Sequence, residues 1–196
     1  NELKMDVYMR ISNELYLKRL IVGGFEKVFE FAKDFRNEGI DKTHNPEFLQ
    51  MECYWSYADY EDVMKLTEEL YSFVATKVFG TTKFNWQGKE FDVKAPWKRM
   101  TMEQALEKYV KIDVDKMDDE QLKETMRGYN VEYEGDWTRG LGITLLFEEL
   151  VEDKLISPVF IIDHPKESTP LCKAKRGNPE LIERFEPYIC GMEIGN

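Results

Sequence analysis

The sequence predicts an α+β fold in which helices flank an antiparallel sheet. Two patterns predict it: period-2 alternation of apolar and polar residues, typical of half-buried strands, and amphipathic stretches with apolar residues three and four positions apart, typical of helices. Length and composition agree, because 196 residues, 42% of them hydrophobic and 33% charged, suit an ordinary globular domain with a sizeable core. We therefore expect residues 1–196 to form a single domain.

A short helix and a long hairpin follow a short alternating strand predicted at Val7–Ile11. Glu14–Val22 has the apolar spacing of a helix, and Gly23 with Gly24 ends it. The stretches Phe25–Arg36 and Phe48–Ala58 both alternate, with about ten residues of polar loop between them. Two alternating stretches joined by a polar loop predict an antiparallel hairpin.

A long amphipathic helix follows this hairpin. Asp59 is a favourable N-cap for it, and Gly80 is a favourable residue at its end. A second hairpin is predicted over Lys83–Val93, with its turn at Gln87-Gly88.

Residues 99–155 are predicted to be mainly helical, and we interpret them as a peripheral insertion. Thr101 with Gln104 forms a capping box, so a helix is expected from Thr101 to about Val110. Two more helices are predicted over Asp118–Gly128 and Leu141–Leu155.

The last part of the chain returns to strands. Pro158–Asp163 is a short apolar run that predicts a buried strand, and the polar loop His164–Asn178 follows it. Two further strands, Leu181–Ile189 and Met192–Asn196, are predicted on either side of Cys190-Gly191.

Charge and cysteine content exclude several classes of protein. The net charge of −11 argues against a nucleic-acid-binding surface spread over the molecule, because phosphate contacts need clustered Lys and Arg. Three widely spaced cysteines indicate neither a disulfide framework nor a zinc site, and they fit the reducing cytoplasm. No apolar run approaches the ~18 residues of a membrane span. Because the chain lacks an initiating Met and ends as a new segment begins, we expect it to be part of a longer protein.

The stretch from Arg36 to Tyr54 concentrates residue types that carry chemistry, and we interpret it as the active site. Arg36 and Glu38 share a strand face, and the adjoining loop carries His44. An arginine at the end of a strand can clamp a phosphate through its planar fork of donors. A solvated strand face with a surface ion pair is the alternative, and His44 alone is more often a turn residue.

The second strand of the hairpin offers groups for a flat ring and for a cation. Phe48, Gln50, Glu52 and Tyr54 are two residues apart, so they lie on one face. Phe48 could stack on a flat ring, while Glu52 is an anionic end for a cationic ligand. Tyr54 lies beside Glu52.

Three further acids have both a functional and a structural interpretation. Glu14 begins the first helix, where an acid also complements the helix dipole. Glu186 and Glu193 flank Cys190-Gly191, and a four-residue loop from Tyr188 to Gly191 would place them directly opposite each other. Their repulsion would favour a divalent cation with oxygen ligands between them; two exposed acids with a different loop length are the alternative.

At these residues the sequence resembles a class II lysyl-tRNA synthetase. FRNEG with HNPEF is similar to the motif 2 hairpin of that class, and E-x-Y-x-x-Y-A-D-Y is similar to the lysine enzyme rather than to the aspartate or asparagine enzymes. The resemblance covers nearly the whole chain, in the runs DVYMRISNELYLKRLIVGGFEKVFEFAKDFRNEGIDKTHNPEF, MECYWSYADY, VFIIDHPKESTPL, NPELIERFE and GMEIGN. It implies a six-stranded antiparallel sheet flanked by helices.

The resemblance also implies a role for each candidate residue. Arg36 would hold the α-phosphate of ATP and the carboxylate of the substrate, and His44 would reach the outer phosphates. Glu38 and Asn45 would face the adenine, with Phe48 stacked on it. The remaining roles are recognition of lysine and binding of magnesium: lysine by Glu14, Glu52, Tyr54 and Asn196, and Mg²⁺ by Glu186 and Glu193.

The implied reaction is attack of the lysine carboxylate on the α-phosphate, which gives lysyl-adenylate and pyrophosphate, followed by transfer to tRNA(Lys). ATP and Mg²⁺ are the implied cosubstrate and cofactor, and the full-length protein is expected to be a homodimer. The chain departs from the family at its ends, since the anticodon-binding domain, motif 1 and motif 3 are not found in it. Two alternatives stay open: a ligase that attaches lysine to elongation factor P, and a noncatalytic synthetase fragment that acts as a binding module.

Overall fold

The computed structural model describes residues 2–41 and 44–196. Lys42 and Thr43, in the predicted loop of the first hairpin, lie outside the described residues. The chain divides into two compact units, residues 1–58 and residues 59–196. Within the described residues, no helix has the length and apolarity needed to cross a membrane.

The described residues of the first unit form one helix and one hairpin, and the predicted strand at Val7–Ile11 does not form. Helix α1 (Glu14–Val22) has the predicted bounds. Strands β1 (Lys27–Phe35) and β2 (Glu47–Trp55) pair antiparallel, with Glu30 opposite Glu52 and Asp34 opposite Phe48. The hairpin is therefore confirmed, and its register places Asp34, Phe48 and Glu52 on one face, because paired residues of an antiparallel ladder point to the same side.

The second unit begins with the predicted helix and hairpin. In helix α2 (Tyr60–Phe79), the Asp59 side chain accepts the first free N–H groups, and Asp62 completes a capping box. Gly80 ends the helix in the left-handed conformation, at φ 72°. Strands β3 (Lys83–Trp86) and β4 (Lys89–Asp92) then pair antiparallel.

One strand and three helices follow. Strand β5 (Lys98–Met100) was not predicted, whereas helix α3 (Met102–Val110) was, and the capping box of Thr101 and Gln104 precedes it. Helix α4 (Asp119–Gly128) also matches its prediction.

Helix α5 (Arg139–Leu150) differs from its predicted range, Leu141–Leu155. It begins earlier because the Thr138 hydroxyl accepts the N–H of Leu141 at 3.1 Å and so caps the helix. It also ends earlier, and a 3₁₀ turn covers Glu152–Lys154.

Five short strands complete the chain. They are β6 (Val159–Ile162), β7 (Ala174–Lys175), β8 (Asn178–Ile182), β9 (Phe185–Ile189) and β10 (Met192–Glu193). The prediction of one strand over Leu181–Ile189 is wrong, because a turn in which Arg184 N–H donates to Ile182 O interrupts it. As a result β8 pairs with β7, while β9 pairs with β6.

The mixed α and β composition is confirmed, with five α-helices in the described residues. The implied six-stranded antiparallel sheet is not confirmed. The described strands form one four-stranded sheet, in the order β10-β9-β6-β5, and three two-stranded sheets. The four-stranded sheet is mixed, since β5 runs parallel to β6.

Two hydrophobic clusters form the core of the second unit. The larger one joins the three helices within residues 99–155 to the four-stranded sheet, through side chains such as Leu106, Leu122, Phe147 and Ile161. The smaller one packs α2 against Trp97, Phe160 and Phe185. The assignment of residues 99–155 as an insertion stays a prediction.

Close packing within α5 gives a stability test. A Cβ added at Gly142 would lie 2.3 Å from Trp137 Cη2, so we expect Gly142→Ala to lower the free energy of unfolding by about 1–3 kcal/mol. Gly128, in α4, has open space at the same position, and Gly128→Ala should raise the free energy of unfolding by about 0.4–1 kcal/mol. Urea titrations measure both changes, and equal signs for the two variants would contradict the packing argument.

Candidate active site

Arg36 follows β1 and presents a guanidinium to solvent. Its Nε donates to Ile11 O at 3.2 Å, and its guanidinium carbon lies 5.2 Å from the centre of the Phe48 ring. The backbone N–H of Arg36 donates to Pro46 O at 3.0 Å, which continues the hairpin ladder. Among the described residues, no carboxylate pairs with this guanidinium. The structure thus brings Arg36 and Phe48 together and leaves the outer guanidinium nitrogens able to bind an anion.

The loop between β1 and β2 carries three of the predicted residues. Asp41 fixes His44, because Asp41 Oδ1 accepts the His44 backbone N–H at 2.7 Å and Asp41 Oδ2 lies 2.9 Å from Nδ1. Asn45 Nδ2 donates to Glu47 O at 2.7 Å. Glu38 is exposed, and none of the described residues bonds to its side chain. His44 and Asn45 are therefore held in the loop, and Glu38 is not.

Glu52 lies at the centre of a hydrogen-bonded group on the face shared with Phe48. The Tyr54 hydroxyl donates to Glu52 Oε2 at 2.9 Å, and Ser12 Oγ lies 3.4 Å from Oε1. With the amide nitrogen of Asn13 facing the carboxylate, the orientation that satisfies both groups, Nδ2 lies 2.9 Å from Oε1 and 3.1 Å from Oε2. Burial, together with the Glu52 carboxylate, raises the pKa of Tyr54 well above its ordinary value, so the hydroxyl stays a donor.

Glu14 lies in the first turn of α1 and already has a cationic partner. Lys18, one turn later, forms an ion pair with it. Lys18 Nζ also lies 5.8 Å from the centre of the Tyr54 ring. The structure thus places Glu14, Lys18 and Tyr54 in one neighbourhood.

An ion pair with a buried carboxylate supports the same hairpin. Arg10 Nε lies 3.2 Å from Asp34 Oδ1, and Arg10 Nη1 lies 3.2 Å from Glu30 Oε1. The Asp34 side chain is fully buried, and neither of its oxygens accepts a hydrogen bond from the described residues. Arg10 O also accepts the N–H of Phe35 at 2.7 Å, so residue 10 is tied to β1 by backbone and side chain.

The prediction that Glu186 lies directly opposite Glu193 is wrong. The turn of β9 and β10 has only two residues, Cys190 at φ 56° and Gly191 at φ 78°, as in a type I′ turn. This register pairs Glu193 with Tyr188, and Glu186 with Ile161 on β6. Glu186 and Tyr188 share a face, so Glu193 is a diagonal neighbour of Glu186.

These two acids belong to a larger acidic cluster. Glu152 is partly buried, whereas Glu148 and Glu193 are exposed. Partial desolvation and the charges of the neighbouring acids raise the pKa of each above its ordinary value. The Tyr188 hydroxyl lies 2.8 Å from Glu152 Oε1 and 3.1 Å from Glu186 Oε2. The cluster therefore carries more negative charge than its donors balance.

Few cations balance this cluster. Arg184 donates to Glu186 Oε1 at 2.6 Å, and Asn196 Nδ2 donates to Glu193 Oε1 at 3.2 Å. Burial lowers the pKa of His164 to about 4, so this residue, 4.0 Å from Glu186, is neutral at pH 7. Across residues 2–41 and 44–196, no group of three or more His, Cys, Asp or Glu side chains forms a metal-binding cluster. The predicted ligands are thus a pair of carboxylates.

Sequence reasoning missed Ser12, Asn13, Arg10 and Asp34. Ser-Asn before a helix is an ordinary N-terminal signal, and nothing local shows that either side chain turns to Glu52, which follows Ser12 by 40 residues. Of the predicted residues, Glu186, Glu193 and Asn196 belong to the second unit, and the other eight belong to the first.

The chain belongs to the class II tRNA synthetases (D, K and N), whose family model matches residues 1–196. Among curated relatives it is similar to lysine-tRNA ligases. The enzyme of Clostridium novyi is 50% identical over 200 residues, and that of Saccharolobus solfataricus is 51% identical over 197 residues. Both alignments cover 100% of this chain but only 39% and 40% of the relatives, so the chain spans about two fifths of their length.

Proposed function

We propose that this chain provides the ATP-binding and lysine-binding part of a lysine-tRNA ligase. One observation carries the proposal: a single face of the hairpin presents an anion-binding group at one end and a cation-binding group at the other. Arg36 continues the face of Asp34, and its guanidinium lies over the Phe48 ring. Glu52 lies four residues beyond Phe48 along β2, about 13 Å at the rise of a strand. An elongated ligand with an anionic end and an ammonium end suits this spacing, and lysyl-adenylate is such a ligand.

At the anionic end, Arg36 binds the α-phosphate of ATP and the lysine carboxylate. A lysine carboxylate oxygen attacks the α-phosphorus, the bond from that phosphorus to the bridging oxygen breaks, and pyrophosphate leaves. The planar fork of Arg36 aligns the two anions and stabilises the charge that develops on the phosphate. Phe48, which holds the guanidinium, would stack on the adenine, with Glu38 and Asn45 near it. His44 would reach the outer phosphates.

At the cationic end, Glu14 and Glu52 recognise the ammonium groups of lysine, with Tyr54 and Asn196 as hydrogen-bonding partners. The acids make the site selective, because an uncharged side chain would leave the Glu52 carboxylate without a cation. The lysine-tRNA ligases to which the chain is similar support this choice of amino acid.

Glu186 and Glu193 fit Mg²⁺ by their chemistry. Both offer oxygen donors. Partial desolvation and the charge of Glu186 raise the pKa of Glu193, and a divalent cation would relieve the repulsion between the two acids. When bound, Mg²⁺ would share phosphate oxygens of ATP and neutralise their charge. Glu193 and Glu186 would hold the ion, while Arg184 orients Glu186.

The wider proposal concerns the protein in its cellular setting. Residues 1–196 would form one catalytic domain, with residues 99–155 as a peripheral helical insertion. The protein would act in the cytoplasm as a homodimer and transfer the lysyl group to tRNA(Lys). The net charge of −11 restricts tRNA contacts to a local basic surface.

Amino-acid-dependent pyrophosphate exchange tests the proposal. The native protein, with whatever sequence flanks residues 1–196, is incubated with ATP, Mg²⁺, labelled pyrophosphate and each of the twenty amino acids. We expect label to enter ATP with lysine and not with arginine or glutamine, because only lysine supplies an ammonium of the right length. Exchange that depends on another amino acid, or on none, would refute the lysine assignment.

The magnesium ligands give a separate prediction. Glu193→Gln removes one negative ligand and keeps the size of the side chain, so the Mg²⁺ concentration for half-maximal exchange should rise about 10- to 100-fold. Glu180→Gln is the matched control, since Glu180 is exposed and pairs with Lys166. A magnesium titration at saturating ATP measures both variants, and identical curves for Glu193→Gln and the unmodified protein would exclude Glu193 as a ligand.

A further inference from the structure

Asn13 occupies the N-cap of α1. The hydroxyl of Ser12, one residue earlier, accepts the N–H of Glu14 at 3.1 Å, so the first turn has a side-chain acceptor there. Asn13 is fully buried, so its amide nitrogen needs a partner.

The partner is the carboxylate of Glu52. Nδ2 of Asn13 lies within 3.1 Å of both carboxylate oxygens, whereas Tyr54 bonds to one of them. The Asn13 amide is therefore the group placed to fix the plane of the carboxylate. A buried side chain on a helix terminus is also a rigid support for such a bond.

Glu52 differs from Glu14, the other predicted lysine acid, in its ion pairing. Lys18 pairs with Glu14, whereas none of the described Lys, Arg or His side chains pairs with Glu52. The donors to Glu52 are neutral: the amide of Asn13 and the hydroxyls of Ser12 and Tyr54. They orient the carboxylate and leave its negative charge for a cationic ligand.

We infer that Asn13 is a positioning residue for lysine recognition, which acts by holding the Glu52 carboxylate toward the ammonium group of the substrate. This inference rests on the proposed function. Asparagine suits the role because it donates without bringing charge, so the carboxylate keeps its full attraction for the ammonium. An aspartate has nearly the same shape but places a second carboxylate against the first.

Two substitutions separate this role from simple packing. In the native protein, Asn13→Asp keeps the volume and loses the donors, while Asn13→Ala removes the whole amide. We expect the KM for lysine in pyrophosphate exchange to rise about 10- to 100-fold in both, which is the range for a lost hydrogen bond to a charged group, and to rise more in Asn13→Asp. The KM for ATP should stay within about twofold.

The order of the two variants is the decisive result. A packing role would make the alanine variant worse, because alanine leaves the larger cavity. Equal rises in the KM for lysine and the KM for ATP, or a KM for lysine within twofold of the unmodified protein in either variant, would overturn the inference. If Asn13→Asp does not fold, Asn13→Ala still gives the comparison of the two KM values.

A matched control makes the same chemical change elsewhere. Asn85 is exposed at the β3–β4 turn, where its Oδ1 accepts the N–H of Gly88 at 3.1 Å, a bond that aspartate can also accept. Asn85→Asp should leave both KM values unchanged. If the proposed function itself is wrong, the result is different, because the unmodified native protein would show no lysine-dependent exchange at all.

Discussion

We expect Arg36→Ala to lower the proposed lysine-dependent pyrophosphate exchange by about 10³-fold or more, the range seen when an arginine that stabilises a phosphoryl-transfer transition state is removed. The guanidinium is exposed and pairs with no carboxylate among the described residues, so its charge is not used to hold the fold together. The free energy of unfolding should change by no more than about 0.5 kcal/mol. A large loss of exchange with little loss of stability is the expected signature.

Two further variants show which property of Arg36 matters. Arg36→Lys keeps the charge but loses the planar fork and the stacking on Phe48, so exchange should recover only in part. Arg19→Ala, in the last turn of α1, removes an exposed arginine of the same unit and should leave exchange unchanged. Exchange by Arg36→Ala at the rate of the unmodified protein would remove Arg36 from the site.

Local signals predicted the helices and hairpins well. The bounds of α1, α2 and α3 follow from apolar spacing and from capping residues such as Asp59 and Thr101, all of which act within one turn. Strand β5 could not be predicted in this way. Its three residues are too few to alternate, and its partner is β6, more than fifty residues away and parallel.

The same division applies to the candidate site. Strand parity placed Phe48, Glu52 and Tyr54 on one face, because the period of a strand is a local property. The register of Glu186 and Glu193 depended on turn length: the predicted strand ends at Ile189 and Met192 leave the two-residue turn that forms, whereas placing the two acids directly opposite required a four-residue loop. The Asn13 amide and the Asp34 carboxylate find partners only after the chain has folded, so no local pattern could assign them.

The Arg10–Asp34 pair is expected to be the largest electrostatic contributor to the stability of the first unit. Asp34 is fully buried, and Arg10 is the cation beside it. Removal of one partner from a buried pair leaves a charge without compensation, which costs about 3–5 kcal/mol. We therefore expect Arg10→Met to lower the free energy of unfolding by about this amount, although methionine keeps much of the apolar stem.

A double variant separates the charge effect from the loss of packing. In Arg10→Met/Asp34→Asn the buried carboxylate is gone as well, so most of the lost stability should return, because the cost arises from the unpaired charge. Lys33→Met is the surface control: Lys33 pairs with Glu47 on the exposed part of the same hairpin, and its loss should cost less than about 1 kcal/mol. Urea unfolding of the four proteins measures these differences. A loss below about 1 kcal/mol for Arg10→Met would contradict the prediction, because the pair would then contribute no more than an exposed one.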